Sequence, residues 1–273
     1  MLVSEIYGKK LDRTKPLSPL QFKALAPSLD LAISKYLNKA RIYRGTRRED
    51  NIVYTDPTTQ PRVSANTKNY YTMLISSGTL PSWKNWPPRD KALICSGDFY
   101  TSAGYSYMGD PYVVLPIGNP KIAVASNADF WDSFQLPLNR LNNYIEKFYN
   151  ELAVAFNAKH DVHIADELPD KSLEEFMLGI HHIEQMVDSD PELAETIFSK
   201  TDRMYYAEMK YLKGVLTSGD IVGGLDNFLN PTNAGFKLTD LENYTKTEKE
   251  VWFSATAVLI RPEALNQILS EIR

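Results

Sequence analysis

The stretch TEKEVWF, residues 247–253, places two carboxylates two residues apart at the start of an apolar, β-prone segment that continues to Ile260. Because side chains alternate along a strand, we expect Glu248 and Glu250 to lie on one strand face. One such carboxylate can stabilise a developing positive charge while the other activates an acceptor. The alternative is a charged strand start on the protein surface. Motifs elsewhere in the chain decide between the two.

The composition is that of a globular protein with a single cysteine. The 273 residues are 43% hydrophobic, and the formal charge of −4 does not favour non-specific binding to nucleic acid. Cys95 excludes a disulfide within the chain and a four-cysteine zinc site, and its apolar strand indicates a buried structural thiol rather than a nucleophile. The first residues lack a signal peptide's apolar core, and no run of about 18 apolar residues occurs. We therefore expect a cytoplasmic protein without membrane contact.

The segment RIYRG, residues 41–45, is predicted to be a short strand that ends at a glycine. Ile42 and Arg44 alternate with Tyr43, so we expect Arg44 to be exposed on the face opposite Tyr43. The guanidinium group donates bidentately to phosphate, and Gly45 would let a ligand approach the backbone. The segment therefore suits a phosphate site, and the alternative is an arginine on the surface.

A second candidate segment follows a predicted buried strand. The strand is ALIC, residues 92–95, and the chain leaves it through SGD, residues 96–98. The next residues, TSAGY at 101–105, predict the start of a helix with Thr101 or Ser102 as its cap. Polar side chains therefore collect where this strand ends.

Apolar periodicity divides the chain into β-rich regions and one helical block. Strands are predicted at 112–116, 121–126 and 251–260. A block of amphipathic helices is predicted between residue 135 and about residue 218. We interpret the chain as a single domain, residues 1–273, that carries this block as an insertion.

Capping patterns predict where several helices begin. Ser28 is a better start for the first helix than Ser18, because apolar residues at helical spacing follow it closely. Ser172 begins a capping-box pattern, and Asp190 precedes a proline at the start of another helix. Residues 214–235 are predicted to form a loop.

Three of these segments, taken in chain order, resemble the motifs of a known enzyme family. RIYRG, LICSGDFYTSAGY and EKEVWF are similar to those of the Arg-Ser-Glu class of ADP-ribosyltransferases. The resemblance covers residues 40–126 and 240–260 approximately and leaves the helical block outside. It implies an α+β fold in which two small sheets form a β-sandwich core around an NAD cleft.

The resemblance also implies roles for individual residues in NAD binding. Arg44, with Gly45 beside it, matches the arginine that holds the phosphate or ribose side of NAD. Ser96 matches the serine that shapes the nicotinamide-ribose pocket, although the family's Ser-Thr-Ser appears here as CSG. Ser102 and Tyr105 are similar to a serine and a tyrosine that contact nicotinamide in poly-ADP-ribose polymerases, which carry histidine where Arg44 stands.

Glu250 matches the family's catalytic glutamate at the end of the Glu-x-Glu motif. Cleavage of the bond between nicotinamide and ribose develops oxocarbenium character, which a nearby carboxylate stabilises. In this interpretation Glu250 bonds a ribose hydroxyl, and Glu248 orients or deprotonates the acceptor. Tyr100 or Tyr105 would stack on nicotinamide.

The function that the resemblance implies is that of a mono-ADP-ribosyltransferase. It would cleave NAD, used as a substrate without any metal, and transfer ADP-ribose to a macromolecular acceptor. Glu-x-Glu is usual among arginine-modifying members, so protein arginine is the first expectation and a nucleobase in RNA or DNA the second. Two alternatives stay open: an NAD glycohydrolase, and a decayed transferase fold that acts as an interaction protein. A toxin or phage effector with a neutralising or chaperone partner would fit such an enzyme.

Other familiar site patterns do not occur in the sequence. There is no G-x-G-x-x-G and no G-x-x-x-x-G-K-[ST], which argues against a dinucleotide Rossmann turn and a P-loop. The pairs His160 with His163 and His181 with His182 lack the spacing of H-E-x-x-H. We interpret these four residues as ordinary helix or loop histidines.

Overall fold

The fold is mixed α+β, which confirms the class expected from the sequence. A computed structural model describes residues 14–46, 48–62, 69–76, 78–106, 110–134, 138–169, 172–201, 213–216 and 219–272. No helix within these ranges is long and apolar enough to cross a membrane.

The chain divides into two compact units. The first contains Met1–Arg62, Trp86–Ser133 and Gly235–Arg273, and the second contains Val63–Asn85 and Phe134–Ala234. The helical block predicted at about 135–218 falls in the second unit. That unit also takes in residues 63–85, which the sequence had not connected with the block.

The nine described strands form one antiparallel sheet, and all of them belong to the first unit. In chain order they are β1 (Thr14–Pro16), β2 (Tyr43–Arg44), β3 (Ile52–Thr55), β4 (Leu93–Ser96), β5 (Tyr112–Pro116), β6 (Lys121–Val124), β7 (Lys237–Asp240), β8 (Glu250–Phe253) and β9 (Ala257–Ile260). Their order across the sheet is β1-β3-β9-β5-β2-β4-β8-β6-β7.

The two-residue strand β2 joins two four-stranded halves of the sheet. Tyr43 pairs with Val113 of β5 on one side and with Ser96 of β4 on the other. The expectation of two separate small sheets is therefore wrong for the described strands, because hydrogen bonding runs through β2 from one half to the other. A strand this short carries no sequence signal that it connects both halves.

The apolar stretch after the two glutamates is two strands rather than the predicted single strand 251–260. β8 ends at Phe253 and pairs with β4 and β6, whereas β9 begins at Ala257 and pairs with β3 and β5. Val251 to Phe253 and all of β9 are buried. Strands buried on both faces form a nearly continuous apolar run, and this run hides the break between β8 and β9.

Eight helices have described bounds, together with four 3-10 helices. The helices are α1 (Pro19–Leu37), α2 (Asn69–Ser76), α3 (Phe99–Ala103), α4 (Leu138–His160), α5 (Leu173–Ser189), α6 (Pro191–Thr201), α7 (Ile221–Phe228) and α8 (Pro262–Ile272), and residues 213–216 are also helical. The 3-10 helices are Pro81–Trp83, Arg89–Lys91, Trp131–Ser133 and Leu241–Asn243.

Helix α1 begins at Pro19, so the prediction of a start at Ser28 is wrong. The Ser18 side chain accepts a hydrogen bond from the N–H of Gln21, and the Gln21 side chain accepts one from the N–H of Ser18. This capping box, with proline at the first helical position, outweighs the denser apolar pattern after Ser28. The helix contacts β5 and contributes five residues to the core, namely Phe22, Leu25, Leu29, Ala32 and Tyr36.

Helix α7 occupies a stretch that was predicted to be a loop, residues 214–235. The Asp220 side chain caps this helix by accepting a hydrogen bond of 2.8 Å from the N–H of Gly223. The pair Gly223-Gly224 obscured the helix in the sequence, because glycine is a poor helix former. The buried face of the helix consists of Ile221, Leu225 and Phe228.

Within the second unit, Asp190 connects the end of α4 to the start of α6. Its Oδ2 accepts hydrogen bonds from Lys159 Nζ at 2.5 Å and His160 Nε2 at 2.9 Å, and its Oδ1 accepts one from the Leu193 N–H. The bond from Lys159, followed by that from His160, lowers the pKa of the Asp190 carboxyl to about 2. The prediction that Asp190 precedes a helix is confirmed.

We expect Asp190→Asn to destabilise the protein at neutral pH and to do so progressively less in acid. The pKa of Asp190 lies below its ordinary value of 3.8, so the ionised form stabilises the folded state above that value, and this contribution disappears as pH falls towards about 2. Thermal unfolding midpoints of wild type and variant, measured from pH 7 to pH 2, should converge. The exposed Asp188 in α5 supplies the control, Asp188→Asn. A gap for Asp190→Asn that stays constant with pH would contradict this role.

Candidate functional site

The three segments that carry the candidate residues lie on adjacent strands. β2, β4 and β8 are neighbours in the sheet, and Ser96 pairs with both Tyr43 and Glu250. Residues directly opposite each other in an antiparallel pair project from the same face. Tyr43, Ser96 and Glu250 therefore form one row across the three strands, and the fold brings Ser96 and Glu250 together.

Arg44 lies one residue outside this row. Because side chains alternate along a strand, Arg44 belongs to the row of Cys95, on the face opposite Ser96 and Glu250. Its Nη1 donates a hydrogen bond to the carbonyl oxygen of Ile94. The exposure of Arg44 is intermediate. The fold therefore does not place Arg44 on the sheet face of Ser96 and Glu250. A contact between Arg44 and NAD stays a prediction.

Cys95 is a buried thiol next to Arg44. Burial raises the pKa of the thiol to about 12, and the neighbouring guanidinium opposes this shift only in part. The thiol is therefore protonated at neutral pH, whereas a nucleophilic cysteine needs its thiolate form. The prediction that Cys95 is buried is confirmed.

Gly45 contacts the protein's own backbone. A Cβ added at this position would lie 2.2 Å from the carbonyl oxygen of Ser102 and 2.7 Å from the backbone of Tyr105. The space in the Cβ direction of Gly45 is occupied by the end of α3 rather than open to a ligand. A contact between the Gly45 backbone and NAD stays a prediction. The glycine is required for the close approach of two chain segments.

Helix α3 starts at Phe99, so the prediction of Thr101 or Ser102 as its cap is wrong. The Asp98 side chain is the cap and accepts a hydrogen bond of 2.6 Å from the N–H of Thr101. The N–H of Asp98 in turn donates to the Ser96 hydroxyl at 3.0 Å. Ser96 therefore shapes the turn that leads from β4 into α3.

The side chains around α3 differ in their accessibility. Tyr100 is 82% exposed and Tyr105 is 66% exposed, whereas Ser102 is only 2% exposed. Exposed aromatic faces can stack on a planar ligand. Both tyrosines are accessible for such stacking, and Ser102 is not accessible from solvent in this conformation.

Glu250 is held by protein groups on both of its carboxylate oxygens. Oε1 accepts a hydrogen bond of 2.7 Å from Arg89 Nη1, and Oε2 accepts one of 3.3 Å from the N–H of Phe130. The Glu250 side chain is 12% exposed. Each carboxylate oxygen has a second lone pair, so a ribose hydroxyl could still donate to Glu250.

Arg89 is a candidate site residue that sequence reasoning missed. It is 2% exposed, and the ring of Phe130 lies 3.6 Å from its guanidinium carbon. Charged side chains are rarely buried unless they are paired, and the partner here is Glu250. Arg89 follows Pro87 and Pro88 in a polar segment, and no pattern there indicates that it is buried.

Glu248 does not share a strand face with Glu250. It is exposed and lies in a bend, because β8 begins only at Glu250. The bend is stabilised where the Thr247 hydroxyl accepts a hydrogen bond from the N–H of Lys249. The period-two argument is therefore wrong for Glu248, although the residue stays accessible to a large acceptor.

The chemistry available here is that of a carboxylate charge fixed by an ion pair with Arg89, and of exposed aromatic groups in the segment that follows β4. Glu250 supplies the charge, and Tyr100 and Tyr105 supply the aromatic faces. Among the described residues, no group of three or more histidine, cysteine, aspartate or glutamate side chains could hold a metal ion. A cavity of about 360 Å³ in the same unit is lined by residues that include Leu17 and Ile268, and none of the predicted site residues lines it.

Comparisons of the chain with known proteins assign it to no family. No protein-family model, no curated protein and no solved structure matches the chain.

Proposed function

We propose that the protein is a mono-ADP-ribosyltransferase that uses NAD as its substrate. The observation that supports the proposal most is the adjacency of β2, β4 and β8, the strands that carry the three motifs. These motifs are far apart in the sequence, yet Ser96 pairs directly with Glu250. An ADP-ribosyltransferase fold with an NAD cleft is part of the same proposal.

In the proposed reaction, Glu250 stabilises the ribose as its bond to nicotinamide breaks. The electron pair of the bond between C1′ and the pyridinium nitrogen leaves with nicotinamide, which becomes neutral. The ribose acquires oxocarbenium character, and a carboxylate held in place favours this charge without reorganising. The acceptor then forms a bond to C1′, and its proton passes to Glu248.

The acceptor in this proposal is a macromolecule, with protein arginine first and a nucleobase in RNA or DNA second. Glu248 is exposed, so a large acceptor can reach it. Water, as the acceptor of an NAD glycohydrolase, would need less orientation. Incubation with labelled NAD and a cell lysate, followed by separate protease and nuclease treatments, tests the proposal. Label that is released only by protease indicates a protein acceptor, and label on neither class of macromolecule contradicts transfer.

A second candidate function is that of a decayed transferase fold that binds NAD without turnover. The observation that favours it is the engagement of both Glu250 oxygens by Arg89 and the Phe130 N–H. Measuring NAD binding beside nicotinamide release distinguishes the two functions. Binding without release supports the decayed fold, and release above the non-enzymatic rate supports the transferase.

We expect Arg44→Lys to weaken NAD binding although the charge is retained. Lysine cannot reproduce a planar fork that donates bidentately to phosphate. The dissociation constant for NAD, measured by calorimetry, should rise about tenfold. The matched control is Arg41→Lys, since Arg41 lies in the same segment but stacks on Tyr36 and donates to its carbonyl. An unchanged constant for Arg44→Lys would place Arg44 outside the NAD site.

We expect Glu248→Gln to lower transfer more than NAD hydrolysis. A macromolecular acceptor must be positioned and relieved of a proton, whereas water attacks with little orientation. Both products are measured in one reaction mixture. Glu242→Gln is the control, because Glu242 is also exposed and lies just before the same stretch. A parallel loss of both activities would mean that Glu248 supports NAD binding instead.

A further inference from the structure

Arg89 and Glu250 form a buried ion pair between the segment before β4 and the first residue of β8. The distance from Arg89 Nη1 to Glu250 Oε1 is 2.7 Å, and the two side chains are 2% and 12% exposed. At this distance and burial, the bond is both charge-assisted and shielded from solvent. The pair therefore fixes the direction in which the Glu250 carboxylate points.

Aromatic rings hold the Arg89 guanidinium in place. Its central carbon lies 3.6 Å from the ring centroid of Phe130, 5.2 Å from that of Trp252 and 5.5 Å from that of Trp131. Phe130 also donates its N–H to the other oxygen of Glu250. The same loop residue thus fixes the arginine through its ring and the glutamate through its backbone.

Within the described part of the chain, burying this ion pair leaves one polar group of Arg89 unsatisfied. Arg89 Nε is buried and has no hydrogen-bond partner among the described residues. An unsatisfied buried donor costs free energy, and well-packed apolar residues often replace a buried ion pair without loss of stability. A role for Arg89 beyond packing accounts for its presence.

We infer that Arg89 is a positioning residue for Glu250 in the cleavage of NAD, an inference that rests on the proposed function. Arg89 holds Oε1 and the Phe130 N–H holds Oε2, so the carboxylate cannot rotate as positive charge develops on the ribose. The remaining lone pairs are then aimed before substrate arrives. Arg89 acts through geometry, since its own positive charge opposes charge development on the ribose.

Steady-state kinetics of nicotinamide release by Arg89→Lys and Arg89→Gln test this inference. Both variants lose the planar guanidinium whose Nη1 donates to Oε1 of Glu250, and Arg89→Gln also loses the charge. We expect kcat per folded protein to fall about tenfold or more in each, with KM for NAD within about twofold of wild type, because Arg89 touches Glu250 and not NAD. The control is Arg261→Lys. Arg261 also stacks on an aromatic ring, with its guanidinium carbon 4.3 Å from the Tyr112 ring centroid, and it donates to backbone carbonyls.

The outcomes separate this inference from the proposed function. If the wild type binds NAD but releases no nicotinamide, the proposed function is wrong, and the inference about Arg89 that rests on it is wrong too. If wild type turns over and Arg89→Lys keeps its kcat, or Arg89→Gln raises it, the inference alone fails. Where neither variant folds, NMR spectra of the wild type test the inference. Separate, slowly exchanging Nη–H signals for Arg89 support it, because they show a guanidinium that does not rotate, and averaged Nη–H signals for Arg89 overturn it.

Discussion

Replacing Glu250 with glutamine is expected to lower nicotinamide release by at least about 100-fold. The substitution removes the negative charge and little volume, so the loss reports the stabilisation of a cationic ribose in the transition state. Removal of one preorganised electrostatic group commonly costs about 3–4 kcal/mol of activation free energy. The measurement is the rate of nicotinamide release per folded protein at saturating NAD.

The same substitution is also expected to destabilise the first unit. Arg89 would keep its charge in a buried aromatic setting while its counter-charge is lost, and breaking a buried ion pair costs up to about 3–5 kcal/mol. The glutamine oxygen can still accept the hydrogen bond from Arg89, which reduces this cost. The free energy of unfolding in urea must therefore be measured beside the kinetics.

The double variant Arg89→Met with Glu250→Gln separates the two effects. It removes the Arg89 cation that has lost its counter-charge, so the free energy of unfolding should recover relative to Glu250→Gln alone. Nicotinamide release should not recover, because the carboxylate is still missing. Restored release in the double variant, or wild-type release in Glu250→Gln, would end the assignment of Glu250 as the group that stabilises the ribose.

Replacing Gly45 with alanine is expected to destabilise the protein and to weaken NAD binding together. The added Cβ would lie 2.2 Å from the Ser102 carbonyl oxygen, a backbone atom that cannot move without shifting α3. Overpacking of this kind costs about 1–3 kcal/mol or more. Arg44 precedes the glycine and Tyr105 borders it, so any shift displaces two predicted NAD contacts. Urea unfolding and the dissociation constant for NAD report the two effects.

The control for this prediction is Gly214→Ala. No atom of the described residues lies within 4 Å of a Cβ added at Gly214, which is in the helical residues 213–216, so alanine should be neutral or slightly stabilising there. If Gly45→Ala is as stable as wild type and binds NAD equally well, the close approach of α3 to β2 is not part of the folded protein in solution.

Local patterns in the sequence predicted those elements whose ends are determined by nearby residues. Ser172 caps α5 by accepting a hydrogen bond from Glu175, as its capping pattern indicated. The prediction of a strand at 112–116 matches β5. The break between β8 and β9 and the joining role of β2 could not be predicted, because strand pairing depends on residues distant in the sequence. The sequence also predicts a short strand at residues 62–65 and a helix that starts at Asp202. Both lie largely outside the described residues.

For the candidate site, the only informative feature of the sequence was the order of the three motifs along the chain. The order of the three segments led to the expectation that Ser96 and Glu250 share one site, and the register of β4 and β8 pairs them. The position of Glu248 was not predictable, since a strand's first residue is set by its hydrogen bonds rather than by composition. Arg89 was missed for a similar reason: only the folded chain shows that a polar segment supplies a buried cation.

The most direct test of NAD cleavage at this site measures the release of free nicotinamide. The purified protein is incubated with NAD that carries its label in the nicotinamide ring. The incubation is made with and without lysate as a source of acceptor, beside the Glu250→Gln variant. The proposed function predicts release by the wild type, faster with lysate, and at least about 100-fold less release by the variant. Bound NAD that stays intact in the wild type, or equal release by both proteins, would contradict it.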